Sequence, residues 1–357
     1  MTDTLTSKAI SLLRFPLICA VVCIHTNLRV DCPWLEQLPF FSCFMHIFID
    51  IICSIAVPVF FFISGMLFFR EGTFNMSLYV KKIRSRIKTI LIPYIAWTFI
   101  YLIVIVLLQW WHPNFRLLIH KSVYDLSFSD FLFLFWDMRQ ANDIPTDQAG
   151  PLVGQFWFLQ CLMVLVLLSP IIFQGIKYLG VWFVVLVALL DVSGLMPLYP
   201  GVVFYTYFFF TLGAFFSLQD ININGLLKNI RLWIYPLLIV VWVLAEAFPT
   251  NYLVLFIARL LLLAAVVDVA LCLVRRHIEM PALLVSATFF IFAFHRFLTA
   301  IVTNVAKNGI VPVNSELSAT AFYLLSTALV VVLCVGIFVV MKRFLPKTTS
   351  FLVGKRS

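Results

Sequence analysis

The sequence is poor in charge for its length. Only 11% of its 357 residues are Asp, Glu, Lys or Arg, whereas soluble domains carry about 25%. Hydrophobic residues make up 63% of the chain, Phe alone occurs 38 times, and the mean hydropathy is +1.06. This composition excludes a soluble enzyme, a disordered chain and a nucleic-acid-binding module. The net charge of +9 therefore does not indicate DNA binding.

Several motifs of soluble enzymes are also missing. The sequence has no Gly-x-Gly, P-loop, His-Glu-x-x-His, Gly-x-Ser-x-Gly or Cys-x-x-Cys pattern, so nucleotide hydrolysis, zinc chemistry and hydrolase-elbow chemistry are unsupported. We predict no metal site. Six of the eight cysteines lie in apolar runs, where cysteine behaves as a small hydrophobic residue. Cys32 and Cys43 flank a polar loop instead, and a disulfide between them stays open if that loop faces an oxidising compartment.

The long apolar runs predict an all-α polytopic membrane protein. A spanning helix needs about 20 mainly apolar residues, and outer-membrane strands read as short alternating segments instead. Ten runs qualify approximately: 8–28, 46–69, 89–111, 154–173, 178–193, 201–218, 231–249, 252–273, 282–304 and 318–341. We expect residues 1–357 to form a single integral-membrane domain.

The distribution of positive charge predicts the orientation. With the N-terminus inside, 18 of the 25 Lys and Arg residues fall on the inner side, so both termini are expected in the cytoplasm. Residues 112–153 then form a long external loop, a length that usually signals function. Its aromatic run, residues 131–136, should pack against the membrane face or form a short interfacial helix.

Ionisable residues inside spans are costly and point to function. Arg14 and His25 lie eleven residues apart, about three helical turns, so both project from one face of the first span about 16 Å apart. In the alternative interpretation, Arg14 only anchors the helix and His25 only lies at the interface. His295, Arg296 and Arg259 also fall within late spans, where pairing with Asp268 would be structural and contact with a substrate would be functional.

Two further features allow a structural and a functional interpretation. Ser64-Gly65, in the second span, is usually a site of close helix packing. The basic run Lys81–Lys88 opens the third span. It either anchors the protein to anionic lipid or binds the phosphates of an anionic donor.

Five elements, taken in order, resemble the acyltransferase-3 family of multi-pass membrane acyltransferases. The resemblance covers about residues 10–340 and rests on the following stretches: Arg14 with His25, the Phe-Phe-x-Ile-Ser-Gly stretch ending at Gly65, the basic run leading to Pro93-Tyr94, Trp157-Phe158-Leu159, and the segment ending at His295. The family's Arg-x-x-Arg motif is incomplete after Arg86, because Thr89 occupies its second position. Two alternatives stay open: Lys88 substitutes for the missing arginine, or the motif starts at Lys81 and ends at Arg84.

The resemblance implies a reaction and a set of site residues. The protein would transfer an acyl group, often acetyl in this family, from cytoplasmic acyl-CoA to a hydroxyl of an extracytoplasmic glycan or lipid-linked sugar in the plasma membrane. The resemblance does not choose between an acetyl and a succinyl donor. No permanently bound cofactor is implied. The catalytic residues would be His25, as general base, and Arg14. The implied acyl-CoA-binding residues are Arg84, Arg86, Lys88 and Ser64, and the candidates for lining the cavity are Trp157, Arg259, His295 and Arg296.

Two other classes stay open at this stage. A transporter or a flippase for a lipid-linked sugar would use Arg259, Asp268 and Arg296 to line a path through the membrane. A sensor-like module could keep the fold without the chemistry. Release of free CoA from acetyl-CoA distinguishes the acyltransferase from both.

The charge distribution makes a direct prediction about topology. Reporter fusions at residue 130 and residue 225 should report the outside and the inside of the cell, respectively, because the Lys and Arg bias places them on opposite sides. The measurement is the activity of a reporter that works on one side only. A report of the same side from both fusions would contradict the orientation and with it the direction of transfer.

Overall fold

The computed structural model describes residues 4–29, 32–113, 122–140, 150–194 and 201–355. Within these ranges the chain is helical and contains no β-strand. The helices are α1 Thr4–His25, α2 Pro39–Met45, α3 Ala56–Phe68, α4 Met76–Arg86, α5 Ile92–Trp111, α6 Phe128–Phe133, α7 Trp157–Leu167, α8 Ser169–Leu179, α9 Val181–Val192, α10 Phe204–Leu218, α11 Ile223–Ala247, α12 Tyr252–Arg275, α13 Ala282–Lys307, α14 Glu316–Phe344 and α15 Pro346–Leu352. Fold class is thus confirmed as all-helical.

The predicted count of ten spans is not confirmed. Among the described residues, seven helical segments are long and apolar enough to cross a membrane: Thr4–His25, Pro39–Phe68, Met76–Trp111, Ile223–Ala247, Tyr252–Arg275, Ala282–Lys307 and Glu316–Phe344. Gly154–Leu167 and Ser169–Leu179 could form an eighth, but they bend by 58°. The predicted spans at 178–193 and 201–218 are the shorter helices α9 and α10, because hydropathy reports burial in either lipid or protein and does not set helix length.

Two of the long segments contain π-helical turns, at His46–Ile52 and Ile87–Leu91. Each turn lies a few residues before a proline, Pro58 and Pro93. Proline has no N–H to donate to the carbonyl four residues earlier. For Pro93 that carbonyl belongs to Thr89, inside the π turn, and for Pro58 it belongs to Ser54, in the short 3-10 turn that follows the π turn. Because π turns shift the register of the residues that follow, these positions set which side chains face the interior.

Helix α1 lies at the centre of the bundle, where α3, α12, α13 and α14 contact it. One end of the bundle carries the ion pair between Lys8 and Glu279 (2.6 Å), and the Lys8 ammonium holds the pKa of the Glu279 carboxyl below its usual range. At the opposite end, beyond His25, Arg29 pairs with Asp50 (2.8 Å). We call these the Lys8 end and the Arg29 end.

The Arg29 end has a small hydrophobic core of its own. Phe41, Met45 and Tyr323 are fully buried there, and Tyr323 donates a hydrogen bond to the carbonyl of Cys23 (3.1 Å). Cys32 is buried and Cys43 exposed, and they are not joined by a disulfide.

The described part of the predicted external loop folds back onto the bundle. Its aromatic run includes the short helix α6, and Phe131 and Phe135 pack against Phe99 of α5. Burial acts to raise the pKa of Asp137, but the bound guanidinium and amide of Arg139 hold it below its ordinary value. The short helix covers the first half of the aromatic run 131–136, and its predicted place at the membrane interface stays a prediction. Residues 114–121 and 141–149 of the loop lie outside the described residues.

Asp268 is buried against α11, where it accepts hydrogen bonds from two residues one turn apart on that helix. The Arg231 guanidinium binds it through two nitrogens (2.7 and 2.9 Å), and Tyr235 donates at 2.9 Å. Arg259 lies over the ring of Tyr205 instead (5.2 Å). Asp268 was the expected structural partner of Arg259 or Arg296. It is bound instead by Arg231, which the sequence places at the cytoplasmic edge of the preceding span.

Helices α3 and α10 touch backbone to backbone at two glycines. A Cβ atom on Gly65 would lie 2.0 Å from the Phe210 carbonyl oxygen, and one on Gly213 would lie 2.0 Å from that of Phe62. Small residues permit this approach in membrane helices. The close-packing interpretation of Ser64-Gly65 is thus correct for Gly65, and the contact fixes the position of Ser64.

This contact predicts that Gly65→Ala and Gly213→Ala each lower the stability of the folded protein by about 1–3 kcal/mol, the usual cost of overpacking. The measurement is thermal unfolding in detergent. Gly336→Ala is the matched control, since a Cβ there meets nothing within 4 Å. Equal melting temperatures for Gly65→Ala and Gly336→Ala would contradict the predicted overpacking.

Candidate active site

A cavity of about 770 Å³ lies between α1, α3, α7, α13 and the junction of α4 with α5. From α1 it is lined by a stripe at helical spacing: Ser11, Arg14, Ile18, Val21 and His25. The three- and four-residue steps keep these side chains on one face. The predicted common face of Arg14 and His25 therefore forms one wall of the cavity. Arg14 lies toward the Lys8 end of this wall, and His25, the last residue of α1, lies toward its other end.

The end of α1 is held in place by α14. The Thr26 hydroxyl contacts that of Thr327 at 2.7 Å and also donates to the carbonyl of Val22 or Cys23 (both 3.1 Å). With the hydrogen bond from Tyr323 to Cys23, residues on both sides of His25 are fixed. The imidazole is half-buried and lines the cavity.

Of the three residues of the basic run that were predicted to bind acyl-CoA, one lines the cavity. Arg86 lines it, whereas Arg84 and Lys88 are exposed and are not among its lining residues. Lys82, one turn before Arg86, donates to the carbonyl of Phe68 and pairs with Glu71 (3.0 Å). Phe68 is the last residue of α3, at the end farther from Asp50. Because Lys82 is bound there, Arg86 reaches the cavity from the Lys8 end.

The charge of the cavity is positive. Its lining contains Arg14 and Arg86 but no Asp or Glu among the described residues. Over the same residues, neither guanidinium makes an ion pair or hydrogen bond within the chain. Two unpaired cations in a partly enclosed site favour an anionic ligand, and guanidinium groups bind phosphate oxygens in a bidentate manner.

Between the arginines and His25 the walls are mostly apolar. Phe60, Phe158, Phe289 and Phe292 all line this part. Ser64 and Trp157 line it as well, so the structure brings these two predicted residues to the same cavity. A polar group at one end and apolar walls around the path suit an elongated ligand with a charged head and an uncharged arm.

The other candidates for lining the cavity lie outside its lining. Arg259 contacts Tyr205, and Arg296 is half-buried on α13. His295 is fully buried behind the cavity wall, but its ring centroid lies only 5.2 Å from that of His25. It therefore touches the site without lining it.

Sequence reasoning missed several polar residues of the cavity, among them Gln155 and Ser11, and noted Thr89 only as the position where an arginine is absent. The amide of Gln155 donates to the Ala293 carbonyl (3.2 Å), while its Oε1 is buried without a partner among the described residues. A signal existed for Ser11, which lies one turn before Arg14 on the same stripe. For Gln155 the only signal in the sequence was its position beside the Phe156-Trp157 motif. The described residues contain no group of three or more His, Cys, Asp or Glu placed to hold a metal ion.

Comparison with known proteins extends over nearly the whole chain. The model of the acyltransferase-3 family, described as an acyltransferase domain, matches residues 7–339. No curated protein and no solved structure matches the chain. The matched range includes every residue of the cavity described above.

The geometry separates the three basic residues that the sequence grouped as one donor site. For acetyl-CoA, the donor that the family resemblance implies, Arg86→Gln should raise the concentration needed for half-maximal activity by roughly tenfold to a hundredfold, the loss expected for one charge-assisted contact. Arg84→Gln and Lys88→Gln should raise it little, because neither side chain lines the cavity. The measurement is the dependence of CoA release on acetyl-CoA concentration.

Lys81→Gln is the charge-matched control for this series, since Lys81 is exposed on the same helix and does not line the cavity. Equal effects from all four substitutions would assign the basic run to general attraction of the anion rather than to contact at Arg86.

Proposed function

Because this chain belongs to the acyltransferase-3 family and its apolar helices make it a multi-pass membrane protein, we propose that it carries an acyl group from cytoplasmic acyl-CoA to a hydroxyl on the other side of the plasma membrane. The acyl group is acetyl, and the acceptor is a glycan or a lipid-linked sugar. The single observation that supports this proposal best is the cavity that joins Arg14 and Arg86 to His25.

The donor is bound at the arginines. The phosphates of CoA are polyanionic, and Arg14 and Arg86 are the cations of the cavity that have no carboxylate partner. Arg14 and His25 are about 16 Å apart along the axis of α1. An extended pantetheine arm fits between the aromatic walls and delivers the thioester to the half of the cavity near His25.

The chemistry requires one proton transfer in each direction. His25 takes the proton of the acceptor hydroxyl as its oxygen attacks the thioester carbonyl. The new C–O ester bond forms and the C–S bond breaks, so that CoA leaves as a thiolate. The protonated His25 then returns its proton to the sulfur, which yields the CoA thiol and a neutral imidazole. The apolar walls exclude water that would otherwise hydrolyse the thioester.

A transporter or flippase has less support. The path for such a substrate would use Arg259, Asp268 and Arg296, yet none of the three lines this cavity. Asp268 is bound by Arg231 and Tyr235 instead. These contacts hold α11 against α12, which is a structural task.

The base role of His25 predicts a clear mutational pattern. His25→Ala should leave a folded, inserted protein whose acyl transfer falls by about 10²–10⁴, the usual contribution of a general base. His25→Gln should recover none of this loss, because an amide can hydrogen-bond a hydroxyl but cannot take its proton. The measurement is free thiol released from acetyl-CoA per amount of inserted protein, in membranes that contain the acceptor.

A mass comparison of surface glycans from cells with and without the protein checks the same reaction in the cell, through loss of an acyl increment. Near-normal turnover in His25→Gln would remove His25 from the base role. Wild-type membranes that release no CoA thiol and cells with unchanged glycans would exclude the acyltransfer itself.

A further inference from the structure

The residue behind the cavity wall, His295, stands out because it is a fully buried imidazole packed against another imidazole. Its relative exposure is 0%. Its ring centroid lies 5.2 Å from that of His25, with the two planes inclined by 36°. The two residues belong to α1 and α13, which pack side by side along their length. The pair is therefore built into a main helix contact of the bundle.

The hydrogen bonding of His295 determines its tautomer. Nδ1 lies 2.8 Å from the carbonyl oxygen of Ile291, one turn earlier on α13. A carbonyl can only accept, so Nδ1 carries the proton. In a neutral imidazole Nε2 is then a bare acceptor.

Nε2 of His295 has no hydrogen-bond partner in the described part of the chain. Buried acceptors are normally satisfied, and one that is not calls for a functional explanation. The imidazole of His25 also makes no hydrogen bond of its own there. The ring separation brings the two within reach of one hydrogen bond, direct or through one water, and such catalytic contacts often close only when substrate binds.

We propose that His295 is a positioning residue for His25: its bare Nε2 accepts the ring N–H of His25 and so presents the other, unprotonated nitrogen of His25 to the cavity. This proposal rests on the proposed function, in which His25 is the base. A base must be held in one tautomer and one orientation by a third group. Here a neutral, buried imidazole takes that part.

The arrangement also suits the step after proton uptake. Once His25 is protonated, both of its nitrogens are donors. One faces His295, and the other faces the sulfur of the departing CoA. His295 itself does not touch the reacting atoms, because it does not line the cavity.

The test compares His295→Gln with His295→Leu. The amide oxygen of Gln can lie near the position of Nε2 and accept a hydrogen bond, whereas Leu cannot accept. We expect His295→Leu to lower kcat at least about tenfold, since loss of tautomer control can cost up to about 10⁴, with the KM for acetyl-CoA unchanged. His295→Gln should retain most of the wild-type kcat.

Thr299→Val is the matched control. Thr299 is a fully buried polar residue one turn further along α13, and its loss should leave kcat and KM at wild-type values if the effect of Leu is specific. Equal losses in His295→Gln and His295→Leu would overturn the proposal, because neither side chain can act as a base and only one can accept. A loss confined to the KM would overturn it as well.

A second measurement does not depend on activity. Nitrogen-15 NMR of ring-labelled histidines in the purified full-length protein reports which nitrogen of each ring carries the proton. We expect His295 protonated at Nδ1, and His25 in one tautomer that is kept in His295→Gln and becomes mixed in His295→Leu. A His25 tautomer that is indifferent to His295 would overturn the pairing even in an active enzyme. Wild-type membranes that release no CoA would instead refute the proposed function, while the NMR result still decides the pairing.

Discussion

The structure depends on the fixed position of a single helix, α1. Arg14 and His25 project from the same face of this helix, so their separation is set by the rise of the helix rather than by any loop. Helices α3, α12, α13 and α14 contact α1, and the hydroxyl contact between Thr26 and Thr327 holds its end. A site built on a packed helix keeps its geometry better than one built on loops.

Charge is used in two ways in this bundle. Three partly buried cations are neutralised by a carboxylate from another element: Arg231 by Asp268, Arg29 by Asp50 and Lys82 by Glu71. An unpaired charge is expensive away from water, so these pairs are what a stable fold requires. Arg14 and Arg86 have no carboxylate partner among the described residues and share one cavity, and this combination marks where an anion belongs.

The cavity also depends on local irregularities of the helices that surround it. The π turn at Ile87–Leu91 precedes Pro93, and Arg86 and Thr89 reach the cavity at this junction. On the other side, Gly65 lets α10 approach α3 closely, next to Ser64. Each feature weakens an isolated helix, since proline removes a hydrogen bond and glycine costs conformational entropy. Each is tolerated because it shapes the interior.

The sequence by itself determined the fold class, the common face of Arg14 and His25 and the family. These follow from composition, from the 3.6-residue period and from the order of short motifs, all of which are local. It did not determine the number of long helices, because apolar segments such as 178–193 and 201–218 are hydrophobic whether they face lipid or protein. Only the tertiary structure selected Arg86 from the basic run, bound Asp268 to Arg231 and placed His295 against His25. Those contacts join residues 37 to 270 positions apart, and the packing of whole helices, rather than any local pattern, decides which side chains meet.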